Sequence, residues 1–366
     1  MIELMANICI ACGGTGGHLF PGLSIAEELQ RRGHTVRLYL SNKPIDAEVM
    51  KHYPQFETSR LPAMGWTGVN WKMFSFAWNF WRAYQQCLEE WETFAPRAVI
   101  GMGGFLSAPP LMAAMKKGIP AYMHESNSIP GKVTRWLASH LTKIFLGFHE
   151  CSKYFSRAIT RFTGTPVRAS LKKMDRWESA KFFGLDAGLK VLTIVGGSQG
   201  AHGLNQLMLD SAQYLLDEWP RWQVIHLTGA ADAERAQKVY SVLGVKAKVF
   251  PFCAEMEKVY SLTDLIVARA GAASLCEISY FGLPSVLVPF PAAAEDHQTC
   301  NAEIFARAGA AQIFKEKATL PQEFARGLRT LIRDDIARGK MAEAAKALFH
   351  SDAAQEIVEE VEHAFA

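Results

Sequence analysis

The sequence predicts an α/β protein built as two parallel-sheet halves, and three observations predict it. Strand-like apolar runs alternate with helical patterns along the chain, the rhythm of βα units. Each half opens with an apolar run that feeds a glycine-rich loop, "NICIACGGTGGH" at 7–18 and "KVLTIVGGSQGAHGLN" at 190–205. Between them, "TGTPVR" at 163–168 carries Gly164 and Pro166, which interrupt any regular element and mark a boundary.

Taken in order, "NICIAC" is short, apolar and bounded by glycine, hence a buried strand. Residues 20–32 follow as a helix stopped by Gly33. "TVRLYLS" is the second strand, 71–94 a long helix, "AVIGMG" a strand and 107–117 a helix. "PAYMHE" is a strand, 130–140 a helix and "KIFLGF" a late strand. The second half restarts with "KVLTIV", a glycine loop and a helix to about 217. "WQVIHLTG" and "AKVFPF" are strands, 255–262 a short helix and "DLIVARAG" a strand. Residues 272–281 are a helix, "PSVLVPF" a strand and 299–308 a helix. Two further helices close the chain, the last covering roughly 340–365.

A chain of 366 residues is long for one core and natural for two domains. Apolar residues at 49% and charged residues at 20% fit an ordinary globular protein. No apolar run reaches the roughly 18 residues that span a bilayer. Residues 1–11 lack a basic segment, apolar core and cleavage site, so no secretory leader is expected. Seven scattered cysteines suit a reducing compartment better than a disulfide framework. Cys9 and Cys12 form C-x-x-C, but three positions apart on a strand they face opposite sides. Residues 1–166 carry 17 Lys and Arg against 11 Asp and Glu, and the remainder 22 against 25. The basic half suits an anionic partner or surface, and chance variation gives the same numbers.

The glycine loops are the first chemical signal. A strand that enters a helix through glycines presents unpaired backbone N–H groups and the positive end of the helix dipole, which together make an anion site or a tight turn. The loops at 13–17 and 196–200 occupy matching places, and "GMGGF" at 101–105 adds a third. They are not dinucleotide loops. Leu19 stands where the last glycine of G-x-G-x-x-G belongs, and the second strand ends in Leu40-Ser41-Asn42 without a ribose-binding acid. No G-K-[ST] follows any loop, so the Walker A pattern is absent.

The second half offers another nucleotide site. "ARAGAASLCE" places a turn at Ala270-Gly271 and Glu277 one to two turns into the next helix, as a ribose-binding carboxylate or a solvated helix acid. "EDHQTCNAEIF" adds His297, Gln298 and Asn301 at a further helix start. Gln298 and Asn301 share one face and suit sugar hydroxyls, while N-capping also explains Asn301. Asp232-Ala233-Glu234 comes nearest to a D-x-D metal motif and reads as a solvated helix face. No metal or other cofactor is expected.

In order along the chain, "GGTGGHLFPG", "GMGGFLSAPP", "HESN", "TGTPVR", "GGSQGAHGLN", "ARAGAASLCEI", "GLPSVLVPFP" and "EDHQTCNA" resemble the MurG family of bacterial N-acetylglucosaminyltransferases. The resemblance runs from about residue 8 to the last helix. It implies a GT-B fold, two Rossmann-like domains with parallel sheets flanking an inter-domain cleft. Domains at 1–165 and 166–345 would result, with a C-terminal helix (346–366) packing back on the first. It implies transfer of GlcNAc from UDP-GlcNAc to the 4-hydroxyl of a lipid-linked muramoyl-pentapeptide, with inversion, in peptidoglycan synthesis.

By the same resemblance Glu277 takes the ribose, Cys253 meets the uracil through its backbone, and Gly197, Ser198, Gln199 and Gly200 face the diphosphate with Arg168 nearby. Gly271, Ala272, Gln298 and Asn301 lie at the sugar, and Thr15, Gly16, Gly17 and Asn127 also approach the donor. Gly13, Gly14, Gly103 and Gly104 hold the acceptor diphosphate. Family members often read "HEQN" where Ser126 stands here, "RSG" where Ala270 stands, and an aliphatic residue at Cys253. His18 is the candidate base, since an imidazole titrates near neutrality, and it reads also as a loop or phosphate ligand. Glu125 is the runner-up. The alternatives are another GT-B lipid transferase or a UDP-sugar epimerase, which would keep the donor half and change the acceptor loops, or a silent nucleotide-sugar binder.

Five of the nine tryptophans fall within 66–91. Trp71, Phe74, Trp78 and Trp81 form a helical stripe, with Phe76 and Phe80 off it. Lys72, Arg82, Lys116 and Lys117 lie near in sequence. Such a helix faces either a core or an anionic membrane. With a lipid-linked acceptor, the resemblance implies peripheral binding at the cytoplasmic face of the inner membrane, with other cell-wall synthesis proteins as partners and no nucleic acid.

Overall fold

The run at 7–11 is apolar on both sides because it lies inside a sheet that is covered on both faces. In the computed structural model, which describes residues 5–62, 72–197 and 200–365 apart from the side chains of residues 45, 72 and 73, this run is β1 (Asn7–Ala11). Ile8, Ile10 and Cys12 enter one core cluster and Cys9 and Ala11 the other, the period-2 alternation of a strand. The cysteines of the C-x-x-C therefore sit on opposite faces, both buried. Burial pushes the Cys9 thiol up to about 12 and raises that of Cys12 further.

The chain divides into two compact units, Met1–Ala169 with His350–Ala366, and Ser170–Phe349. The first continues through α1 (Gly16–Arg31), β2 (Thr35–Leu40), α2 (Pro44–Met50), β3 (Glu57–Arg60) and α3 (Lys72–Phe94). It goes on with β4 (Ala98–Gly101), α4 (Ala108–Lys117), β5 (Ala121–Glu125), α5 (Lys132–Leu137), β6 (Lys143–Leu146) and β7 (Thr160–Phe162). The strands form one parallel sheet in the order β3-β2-β1-β4-β5-β6-β7. Its winding reverses between β1 and β4, and ligands of open α/β sheets bind at such a switch, beyond the carboxyl ends of the strands.

The second unit holds α6 (Arg176–Phe183), β8 (Lys190–Val195), α7 (His202–Ala212), β9 (Trp222–Leu227), α8 (Ala233–Val242), β10 (Ala247–Phe250) and α9 (Met256–Leu262). After these come β11 (Leu265–Ala268), α10 (Ala272–Phe281), β12 (Ser285–Leu287), α11 (His297–Arg307), β13 (Ala311–Ile313), α12 (Pro321–Arg333) and α13 (Asp335–Ala347). Its parallel sheet runs β10-β9-β8-β11-β12-β13, with the switch between β8 and β11. Each unit is thus a Rossmann-like layer sandwich, the composition of the GT-B class.

The units divide at 169/170 and 349/350, against the expected 165/166 and 345/346, and two helix boundaries also differ from the sequence reading. The first helix begins at Gly16, inside the glycine loop, and not at residue 20. The last helical stretch is two helices, because the chain turns at 348–352. The second of them, α14 (Ala353–Glu362), belongs to the first unit. Its Ile357, Val358 and Val361 enter the core cluster of α1, and Glu362 bonds Arg32 (2.8 Å) and His34 (2.9 Å).

Candidate active site

In the first unit the two glycine loops follow β1 and β4, the strands at the switch. Met102 N–H donates to the Ala11 carbonyl (2.9 Å), and Ser107 Oγ–H donates to Gly103 O (2.7 Å) and Ala11 O (3.2 Å). His18 lies between the loops, in the first turn of α1. Its Nδ1 is 3.3 Å from Thr15 Oγ1. Gly103 and Gly104 have φ of 94° and 69°, and a Cβ on either would come within 3.2 Å of the His18 ring. Glycine is required there both for backbone conformation and to leave a slot for the imidazole. The sequence-predicted residues Gly13, Gly14, Thr15, Gly16, Gly17, His18, Gly103 and Gly104 thus come together, with Gly16 and Gly17 opening α1 under N-cap Thr15.

One residue at this loop escaped the sequence reading. The fully buried Asp46 carboxylate accepts from Gly14 N–H (2.9 Å), Ser41 N–H (2.9 Å) and Ser41 Oγ–H (2.6 Å). Lys43 Nζ donates to Gly14 O (2.7 Å). The Gly14 N–H is therefore held by the protein's own carboxylate. This makes Asp46 a positioning residue for the loop. The signal was an acid on a seven-residue helix too short to show periodicity.

Glu125 ends β5 and is buried. Its Oε1 accepts from Asn127 N–H (3.1 Å) and Nδ2 (3.3 Å), and its Oε2 from Gly131 N–H (2.9 Å) and Thr134 Oγ1 (2.7 Å). A carboxylate engaged by four donors organises the 126–131 loop, and this geometry argues against a base there. Beside it, burial presses His124 down to about 4, with its Nε2–H on Gly164 O (3.0 Å) and the charge of His18 opposing protonation. Arg168 lies over the Phe20 ring at 4.0 Å on α1. Burial raises the Glu27 carboxyl, while the Ala169 N–H and Arg168 pull it back.

In the second unit, among the described residues, most of the predicted donor positions follow the carboxyl ends of parallel strands, and Glu277 lies in the second turn of α10. The 196–200 loop follows β8, Cys253 follows β10, Gly271 follows β11, and Gln298 follows the β12 loop. Ser198 and Gln199 lie outside the described residues, as does Trp71 of the aromatic stripe. Cys253 is buried, its thiol raised to about 11 by that burial.

The 269–271 turn is fixed by three side chains. Gln298 Oε1 accepts from Ala270 N–H (3.3 Å) and Phe290 N–H (2.9 Å), and Asn301 Nδ2 donates to Ala270 O (3.1 Å). Arg269 donates to Val288 O (3.0 Å) and pairs with Glu316. Asn301 lies buried in the second turn of α11, whose N-cap is Asp296, so the capping explanation falls. Glu295 and Asp296 hold φ of 55° and 54°, strained values for non-glycine residues of the kind that gather at functional loops. Glu277 is half-buried and accepts from Tyr260 Oη–H (2.8 Å), so its carboxylate is held in place. Asp232 is 5% exposed, which corrects the solvated-face reading for that residue, while Glu234 is exposed as expected. Among the described residues no group of three His, Cys, Asp or Glu side chains could hold a metal ion.

Residues 8–146 match the glycosyltransferase family 28 N-terminal domain and residues 191–357 its C-terminal domain. A UDP-N-acetylglucosamine–N-acetylmuramyl-(pentapeptide) pyrophosphoryl-undecaprenol N-acetylglucosamine transferase of Geobacter sulfurreducens is 36% identical over 97% of this chain and 98% of its own. Its namesake in Geobacter metallireducens is 34% identical over the same shares. The crystal structure of Acinetobacter baumannii MurG superposes with a TM-score of 0.77 at 26% identity, covering 98% of this chain and 99% of that one. A putative UDP-N-acetylglucosamine 2-epimerase of Listeria monocytogenes, at 14% identity and a TM-score of 0.72, shares the fold. With both family 28 domains in order and identities above 30% along nearly its whole length, the chain belongs to glycosyltransferase family 28 and, within it, to the MurG family.

Proposed function

We propose that the chain is an inverting, UDP-GlcNAc-dependent hexosyltransferase of peptidoglycan synthesis. It moves GlcNAc to the 4-hydroxyl of the muramoyl sugar in undecaprenyl-diphospho-MurNAc-pentapeptide. The observation that carries this reading is the near-full-length likeness to transferases of that name, which spans both glycine loops and His18. On the second unit, Glu277 binds the ribose diol and the backbone near Cys253 the uracil. The 196–200 loop takes the diphosphate, and the turn clamped by Gln298 and Asn301 takes the sugar. On the first unit, Gly103, Gly104 and the start of α1 hold the acceptor diphosphate. His18 takes the proton of the attacking hydroxyl as the bond from the anomeric carbon to the phosphate oxygen breaks, its electron pair leaving with UDP. Helix dipole and backbone donors offset the growing charge.

The test is transfer of radiolabelled GlcNAc to a short-chain analogue of the lipid acceptor. The expected result is acceptor-dependent release of UDP that persists in EDTA. Binding of UDP-GlcNAc with no UDP release when acceptor is added would leave only a nucleotide-sugar binder, and loss of activity in EDTA would overturn the metal-free reading.

We further propose that the first unit docks on the cytoplasmic face of the inner membrane. Among the described residues no helix is long and apolar enough to cross a membrane. On α3, Phe74, Trp78 and Trp81 are 71%, 59% and 50% exposed, and Arg82, Lys116 and Lys117 are exposed as well. Phe76 and Phe80 are partly buried: Phe76 meets Phe105 edge-on at 5.6 Å and Phe80 packs on the core. The stripe therefore faces out and the flanking phenylalanines face in. Replacing Phe74, Trp78 and Trp81 with Ser is expected to weaken co-sedimentation with anionic liposomes at least ~10-fold without lowering Tm. Phe76→Ser is expected to lower Tm instead. Unchanged sedimentation of the triple variant would remove this contact.

A further inference from the structure

The polar residues beneath the second unit's glycine loop form a chain of hydrogen bonds whose direction is fixed. Tyr240 is buried beside His226, and burial presses the His226 imidazole down to about 3, so the ring is neutral. Its Nε2 lies 3.0 Å from Asn205 Oδ1, an acceptor, so Nε2 carries the proton and Nδ1 accepts from Tyr240 Oη–H (3.0 Å). The Asn205 amide then donates to Thr228 O (2.8 Å) and Asp232 Oδ2 (2.8 Å). Burial by itself would raise the Asp232 carboxyl. Hydrogen bonds from Asn205 and His202, with the charges of His202 and Arg235, hold it below the usual range. It is a carboxylate, so His202 Nδ1 (2.9 Å) must be its donor.

This chain leaves the interior at one point. The His202 side chain is 73% exposed, although its Nδ1 is tied to a buried acid. It is the first residue of α7, two positions after Gly200. The loop and the dyad share one anchor, because Gly200 lies against Thr228 and the Asn205 amide holds the Thr228 carbonyl. With Nδ1–H committed to Asp232, the ring presents Nε2 outward. That atom accepts when the ring is neutral and donates when the ring is doubly protonated. A diphosphate only accepts, so the two fit when the ring is charged.

We propose that the His202–Asp232 dyad is a cationic contact for the diphosphate of the nucleotide-sugar donor, with His202 touching the phosphate and Asp232 orienting the ring. The proposal rests on the reading of residues 196–200 as the donor diphosphate loop. The bond to the anomeric carbon breaks with its electron pair going to the phosphate oxygen. His202 supplies charge and a hydrogen bond there and transfers no proton.

The experiment is calorimetric titration of the full chain with UDP and with uridine, alongside kcat and KM for UDP-GlcNAc. His202→Ala, an exposed change, is expected to raise Kd for UDP ~10-fold and leave Kd for uridine unchanged. Asp232→Asn, which keeps the side-chain volume, is expected to shift UDP binding in the same direction, also without effect on uridine. Equal weakening of both ligands, or wild-type binding of both by His202→Ala, would overturn the proposal. Wild-type protein that binds UDP no more tightly than uridine would instead refute the loop reading on which it rests.

Discussion

His18→Ala is expected to lower kcat by ~10²-fold or more while Kd for UDP stays within about twofold of wild type. The expectation follows from where the ring lies. It stands in the first turn of α1, at the switch point of the first unit, against Gly103 and Gly104 and within 3.3 Å of Thr15 Oγ1. A neutral imidazole ring nitrogen is a proton acceptor suited to general-base work on a hydroxyl. The rival carboxylate, Glu125, already accepts four hydrogen bonds, three from its own loop and one from α5. A residue that only shaped the acceptor loop would raise acceptor KM and spare kcat, so the kcat–KM split separates the two roles. Turnover near wild type in a variant of normal Tm would take His18 out of proton transfer.

What the sequence discloses depends on how strongly burial marks a segment. β1, β4, β5, β8 and β11 are covered on both faces, so their runs are mainly apolar and were legible. β3 ("ETSR") and β7 ("TRF") lie at the edges of the first sheet, largely exposed, and carry no apolar run. Helix α1 begins at Gly16-Gly17 against helix propensity, because the turn is set by the close packing of two loops around His18. Helix α3 is the clearest ambiguity. Positions 74, 78 and 81 form one helical stripe and 76, 80, 83, 87, 91 and 94 another, and both are apolar. Periodicity finds the stripes but does not choose which faces inward. Small Ala83 and Cys87, buried under α4, decide it. In the same way Gln298 and Asn301 were legible as one helix face, but their grip on Ala270 was not, since it joins segments 28 and 31 residues apart.

Gly200→Ala is expected to raise Kd for UDP at least ~10-fold and to lower Tm. Gly200 has φ of +77°, and a Cβ there would lie 2.2 Å from Thr228 O and 2.8 Å from Gly229 Cα. A left-handed alanine costs roughly 1–2 kcal/mol before any clash. The contacting atoms are backbone, and they cannot easily retreat. Thr228 N–H bonds Phe250 O (3.0 Å), and Thr228 O is held by the buried Asn205 amide (2.8 Å). The loop must move instead, and with it the donors at the start of α7. Since about 1.4 kcal/mol is tenfold in affinity, even partial relief of this strain through loop displacement is measurable. Gly271→Ala is the control for the fold. Its φ of −68° is ordinary and nothing lies within 4 Å of the added Cβ, so Tm stays at the wild-type value. Wild-type affinity for UDP in Gly200→Ala, with Tm lowered, would mean that the strained turn supports the unit without gripping the diphosphate.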